Sequence, residues 1–185
     1  NDIAAYFAAE PDQEAAAQQV GQHLRRFWEP RMRSAIRSYA ESDGAGLSRF
    51  QDGAFQTFTT REGLGSDIVF ALHEDAAGSL WIGTSGGLSR YRDGALTTLG
   101  PAQGLVDDVV LSVLEDGAGD FWLGGNRGIS RVSRRELEEV ASGARPRASV
   151  IIYGRADGMR SDECSGVAQP ASWRGRDGRL YFPTA

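Results

Sequence analysis

Residues 68–99 read IVFALHEDAAGSLWIGTSGGLSRYRDGALTTL: four short, largely apolar runs separated by three turns. Ile68–His73 leads into Glu74-Asp75-Ala76-Ala77-Gly78, Leu80–Thr84 into Gly86-Gly87, and Leu88–Tyr91 into Asp93-Gly94 and Ala95–Leu99. Runs of this length bounded by Gly and Asp have strand character, and Asp-Gly is a hairpin signal. The stretch predicts a four-stranded antiparallel meander.

The meander recurs. Gly46-Leu47-Ser48-Arg49, Gly87-Leu88-Ser89-Arg90 and Gly128-Ile129-Ser130-Arg131 repeat at an interval of 41 residues, and 18 of the 41 positions in the first two units are identical. Gly63-Leu64 returns as Gly104-Leu105, Glu74-Asp75 as Glu115-Asp116, and Trp81 and Gly83 as Trp122 and Gly124. A period near 40 with four strands per repeat marks β-propeller blades. The expected fold is mainly β: an incomplete β-propeller of about two full four-stranded blades with partial flanking blades, preceded by a small α-helical hairpin. The repeat units are 46–86, 87–127 and 128–185. Trp81 and Trp122 are expected to fill the space between adjacent sheets.

Unit three is less regular. Arg134–Val140 reads as a short helical insertion of mixed charge, after which Ser149–Tyr153, Asp157-Gly158-Met159 and Asp177–Phe182 recover the blade pattern, with Tyr181 in the tryptophan position. Propellers close with four to eight blades, so residues 46–185 are expected to be a fragment, or a fused reading frame, of something longer.

Composition breaks near residue 44. Of the 24 glycines, only Gly21 falls in the first 43 residues. Residues 1–45 read as helices: Asp12 can cap a segment carrying Ala16, Val20, Leu24 and Phe27 at helical spacing, and Pro30 suits the first turn of the next. Arg25, Arg26, Arg31 and Arg33 flank Phe27-Trp28-Glu29-Pro30. These residues form either a packed, solvated elbow or, with Trp28, an arginine and aromatic anchor for another protein.

The net charge of -5 removes the electrostatic drive for nucleic-acid binding. No apolar run is long enough to span a membrane, and no signal peptide is evident. The single Cys164 excludes an intrachain disulfide, and its acidic neighbours Asp162 and Glu163 disfavour a thiolate. His23 and His73 lie in different modules, which leaves no local metal pair and no Ser-His relay. Glu74-Asp75 and Glu115-Asp116 precede turns, where an aspartate bonds its own backbone. Gly83–Gly87 lacks the lysine of a phosphate loop. No catalytic residue, metal or cofactor is assigned. Contacts are expected at the rim loops 65–67 and 106–108, with Asp67 and Asp108 as candidates.

Gly-Leu-Ser-Arg-Phe/Tyr, Asp-Gly, Gly-Leu-x-x-Asp and Glu-Asp-x-x-Gly-x-x-Trp-Ile/Leu-Gly, recurring in register over residues 46–185, resemble two-component regulator propeller repeats. That resemblance implies part of a non-catalytic sensor propeller of bacterial histidine kinases and related regulators, outside the cytoplasm, with the third unit like the last blades before a β-sandwich. Asn1–Phe7 and the block His23–Arg33 resemble the delta subunit of NAD-dependent formate dehydrogenases. This second resemblance implies a cytoplasmic accessory subunit acting through residues 1–45. A propeller-type lyase or dehydrogenase is the weakest alternative, for want of histidines. Either way the expected partner is protein, namely further propeller blades or oxidoreductase subunits.

Overall fold

The computed structural model describes residues 46–166 and 170–184. The chain divides into two units, Asn1–Ala45 and Gly46–Ala185. The helical hairpin expected over 1–45, with Arg25, Arg26, Trp28, Arg31 and Arg33, lies outside the described residues.

Two complete blades form the centre of the second unit. The first is β3 (Val69–Glu74), β4 (Leu80–Thr84), β5 (Gly87–Arg92) and β6 (Ala95–Leu99), hydrogen-bonded in chain order and antiparallel throughout. The second is β7 (Ser112–Glu115), β8 (Asp120–Gly125), β9 (Gly128–Ser133) and β10 (Val150–Tyr153), with the same order and sense. Two-stranded hairpins flank them: β1 (Leu47–Gln51) with β2 (Ala54–Phe58), and β11 (Trp173–Arg174) with β12 (Leu180–Tyr181). An isolated bridge joins Cys164 to Thr184.

The turns follow from the repeated Asp-Gly. Asp93 and Gly94 both take positive φ, 50° and 84°, as the two-residue turn between β5 and β6 requires; Asp52 and Gly53 do the same between β1 and β2. Gly87 opens β5 at φ 121°, and a Cβ there would run into the Leu99 carbonyl oxygen, which excludes larger residues from this place in the repeat.

Blades pack face to face. Trp81, fully buried, meets the Phe121 ring of the next blade edge-on, with centroids 5.2 Å apart at 89°. Around them Leu88, Leu99, Leu105, Val110, Val113, Leu123 and Val132 form one core. Each large apolar side chain so buried contributes about 1.5–3 kcal/mol. Trp122 departs from the expectation of inter-blade core: it is half-buried, stacked on Tyr153 at 5.3 Å and covered by the Arg131 guanidinium at 5.4 Å. Tyr181, in the same repeat position, is 52% exposed. The physical reason is that, among the described residues, the second blade is followed by the short β11–β12 pair, which covers less of Trp122 than the four-stranded second blade covers of Trp81.

The expected mixed-charge insertion is a helix, α1 (Arg134–Ala141), and it is structural. Leu137 and Val140, on one helical face, are buried in the inter-blade core. Its charges bind neighbours: Glu138 accepts from Arg90 at 2.6 Å and lies 3.5 Å from Arg92, tying the second blade's helix to β5.

Candidate binding face

The loops that carry the chain from the outer strand of one blade to the inner strand of the next share one design. Each begins with a single 3-10 turn, at Thr60–Glu62, Pro101–Gln103 and Arg155–Asp157. A side chain three residues on accepts the backbone N–H that precedes the turn: Glu62 from Thr59 at 2.7 Å, Gln103 from Gly100 at 3.0 Å, and Asp157 from Gly154 at 2.9 Å. A glycine in the left-handed region then ends it, with Gly63, Gly104 and Gly158 at φ 102°, 105° and 101°. The Gly-Leu of the repeat is thereby explained: the glycine turns the chain, and Leu64 and Leu105 enter the core.

The rim is finished by short polar side chains. Ser66 accepts the Ile68 N–H, Asp107 accepts the Val109 N–H through Oδ1 and the Asn126 N–H through Oδ2, and Ser161 accepts the Glu163 N–H. The β4–β5 and β8–β9 turns reach the same end, where Ser85 donates to Ser66 at 2.7 Å and Arg127 Nη1 donates to the Val106 carbonyl at 3.4 Å.

The two rim candidates differ in what they are free to do. Asp67 Oδ1 accepts the Thr60 N–H at 2.7 Å, as Asp162 Oδ1 accepts the Arg155 N–H at 2.6 Å. Asp108 stands seven residues after Pro101, which has no N–H to give, and its side chain is exposed. Asp67 is thus half-committed to its own loop, while Asp108 lacks that bond and holds its Oδ1 near Gly100, 3.7 Å from where a Cβ there would sit. The sequence places both at equivalent positions; the single replacement of Thr60 by Pro101 separates them.

The opposite end of the blades is a bonded network. Asp75 Oδ1 accepts from Ala77 and Ser79 N–H at 2.9 and 3.0 Å, and its Oδ2 accepts the Trp81 indole N–H at 2.9 Å. Asp116 repeats the pattern with Ala118, Asp120 and Trp122. Burial opposes charge on both carboxyls, but the indole and amide hydrogen bonds outweigh it, aided by Arg134 at Asp75 and Arg131 at Asp116, and hold both below the ordinary aspartate value. The turn-bonding role expected of these aspartates holds, and the indole partner is an addition. Between blades, His73 Nε2 lies 3.0 Å from Glu115 Oε2, and Arg134 Nε donates to Glu115 Oε1 at 3.2 Å. His73 therefore ties one blade to the next. Cys164 is buried; burial pushes its thiol upward, a stronger cause than the acidic neighbours read from sequence. No group of three potential metal ligands occurs among the described residues.

Two family models match the chain: NADH-dependant formate dehydrogenase delta subunit over residues 1–54, and two component regulator propeller over residues 63–86. Among solved structures, the extracellular domain of the hybrid two component system BT3049 from B. thetaiotaomicron superposes with a TM-score of 0.53 at 16% identity, covering 74% of this chain and 20% of its own. The extracellular domain of the hybrid two component system BT4673 from the same organism is 15% identical over 74% of this chain and 23% of its own, with a TM-score of 0.28. That score is too low to bear on the fold. The first likeness shows the propeller architecture, and the chain spans about a fifth of the structure it matches. No curated protein matches the chain.

Proposed function

We propose that residues 46–185 are part of the sensory propeller of a bacterial two-component-type signalling protein, on the extracytoplasmic side of its membrane. Their role is to bind a ligand or protein partner without catalysing a reaction. The observation that supports this reading most is the pair of complete blades at a 41-residue interval, the first of which carries the regulator-propeller match over residues 63–86, its inner strands and the loop before them. In this reading the rim loops carry the contacts, with Asp108 the available carboxylate and Asp67 the braced one. Further blades supply the rest of the face.

The test is the DNA flanking this coding segment. The proposal expects in-frame blades, then a β-sandwich, a membrane-spanning helix and a kinase or other output domain. An operon of oxidoreductase subunits with no further blades would overturn it.

The match over residues 1–54 favours a second reading, an accessory subunit of a formate dehydrogenase contacting its partners through Arg25, Arg26, Trp28, Arg31 and Arg33. Co-purification of residues 1–45 with the oxidoreductase subunits supports it, and no association at micromolar concentration discards it.

A further inference from the structure

The two full blades close their rims differently. In the first, the Gly65 N–H donates to Ser89 Oγ at 3.0 Å, Ser89 pairs with the Thr98 hydroxyl at 2.7 Å, and Thr98 donates to the Gly63 carbonyl at 2.8 Å. Beside this chain of bonds, the buried Thr84 hydroxyl accepts the Gly86 N–H at 3.1 Å and donates to the Gly87 carbonyl at 2.9 Å. Protein groups satisfy one another throughout.

In the second blade, 41 residues on, Gly65 becomes Val106 and Thr84 becomes Gly125, while Ser89 remains a serine, Ser130. The place of Thr98, opposite that serine, goes to Ile152. The first two changes fit each other. A Cβ at Gly65 would stand 3.0 Å from the Thr84 hydroxyl and 2.8 Å from the Thr98 methyl, and the loss of the threonine side chain at Gly125 makes room for valine. Hydrogen bonds are lost in exchange. Ile152 offers Ser130 no hydroxyl, and Ser130 Oγ turns to the Leu123 carbonyl at a long 3.5 Å. Among the described residues the Val106 N–H has no acceptor, and where Gly87 has the Thr84 hydroxyl the Gly128 carbonyl has the Cys164 thiol at 3.9 Å.

Val106, Gly125, Arg127, Gly128 and Ser130 line one recess, with a cavity volume of about 10 Å³. That is room for one water molecule and too little for an organic ligand. We infer that a single ordered water is bound there and does for the second blade what the Thr84 hydroxyl does for the first. It accepts the Val106 N–H and donates to Ser130 Oγ and the Gly128 carbonyl, three bonds, the usual number for a buried water. A dry cavity would leave these groups unsatisfied, which costs more than immobilising one water. Nor can the chain supply the hydroxyl itself, because a Cβ at Gly125 would stand 2.8 Å from the Val109 carbonyl oxygen. The rim loop that carries Asp108 is thereby fastened to its blade through an exchangeable molecule, whereas the loop 65–67 is fastened by direct bonds. The inference rests on the fold and is independent of a sensory role.

The test is nuclear Overhauser transfer from water to the amide protons of the full 185-residue chain. The Val106 amide is expected to give a cross-peak at the water frequency with the sign of a long-lived water. Ser130 carries the one hydroxyl that lines the recess, and its exchanging proton imitates water. Ser130→Ala removes that proton, and the Val106 cross-peak is expected to persist, since the Val106 N–H and the Gly128 carbonyl still hold the water. A silent Val106 amide in the unaltered chain, or a cross-peak lost in a folded Ser130→Ala, overturns the inference. Should Ser130→Ala not fold, crystallographic density for the unaltered chain decides: a water within about 2.7–3.2 Å of the Val106 nitrogen supports the inference, and an empty recess overturns it.

Discussion

The Trp81 indole N–H donates to Asp75 Oδ2 at 2.9 Å, and Trp122 donates to Asp116 Oδ2 at 2.8 Å in the next blade. One carboxylate thus fastens the turn before a strand with one oxygen and orients the strand's large aromatic with the other. The Glu-Asp-x-x-Gly-x-x-Trp spacing is the sequence form of that bond.

Asp75→Asn keeps an acceptor for the turn amides but sets an NH2 group against the buried indole N–H. It is expected to cost about 1–3 kcal/mol in urea denaturation. Asp116→Asn is expected to cost less, because Trp122 is half-buried and water can take its N–H.

Acid weakens the fold through the same carboxylates. Asp75 and Asp116 have folded values below their unfolded ones, so the unfolded chain takes up protons first as pH falls. Their stabilisation is complete above the ordinary carboxylate range and is lost as pH drops through and below it. Denaturation midpoints measured from neutral pH down to pH about 3 should fall, and the fall should be shallower in Asp75→Asn.

Gly87 and Gly94 both have positive φ but differ in surroundings: a Cβ at Gly87 meets the Leu99 carbonyl, whereas one at Gly94 meets open space. Gly94→Ala is expected to cost about 1–2 kcal/mol from the left-handed conformation alone. Gly87→Ala should cost distinctly more, read as a lower melting temperature.

Leu137 fixes α1 against both blades and is fully buried. Leu137→Ala is expected to cost about 2–5 kcal/mol. Arg135→Ala breaks only a largely exposed pair with Glu139 and should change stability by less than about 0.5 kcal/mol.

The blades were legible in the sequence because turn and core residues recur in register: Asp-Gly demands one turn geometry, and Gly-Leu marks the point where a loop re-enters the core. What escaped reading depends on contacts across blades. In sequence, Arg134 and Glu138 belong to a helical insertion of mixed charge and have no visible partners; the structure places Glu115 beside the first and Arg90 and Arg92 beside the second. His73 looks incidental until it meets Glu115. Trp81 and Trp122 are the same letter in the same repeat, yet among the described residues only Trp81 has a whole sheet to pack against. At the rim, Asp67 and Asp108 were equivalent by position, and the difference lay seven residues upstream, in a proline that cannot donate.

The central claim is that β3–β6 and β7–β10 stack as adjacent blades, and the contact between Trp81 and Phe121 tests it most directly. Nuclear Overhauser measurements on the chain should show cross-peaks between the two rings, whose centroids lie 5.2 Å apart at 89°, with ring protons of the edge-on partner shifted upfield. Their absence, with Trp81 free to solvent in a folded protein, would contradict the account.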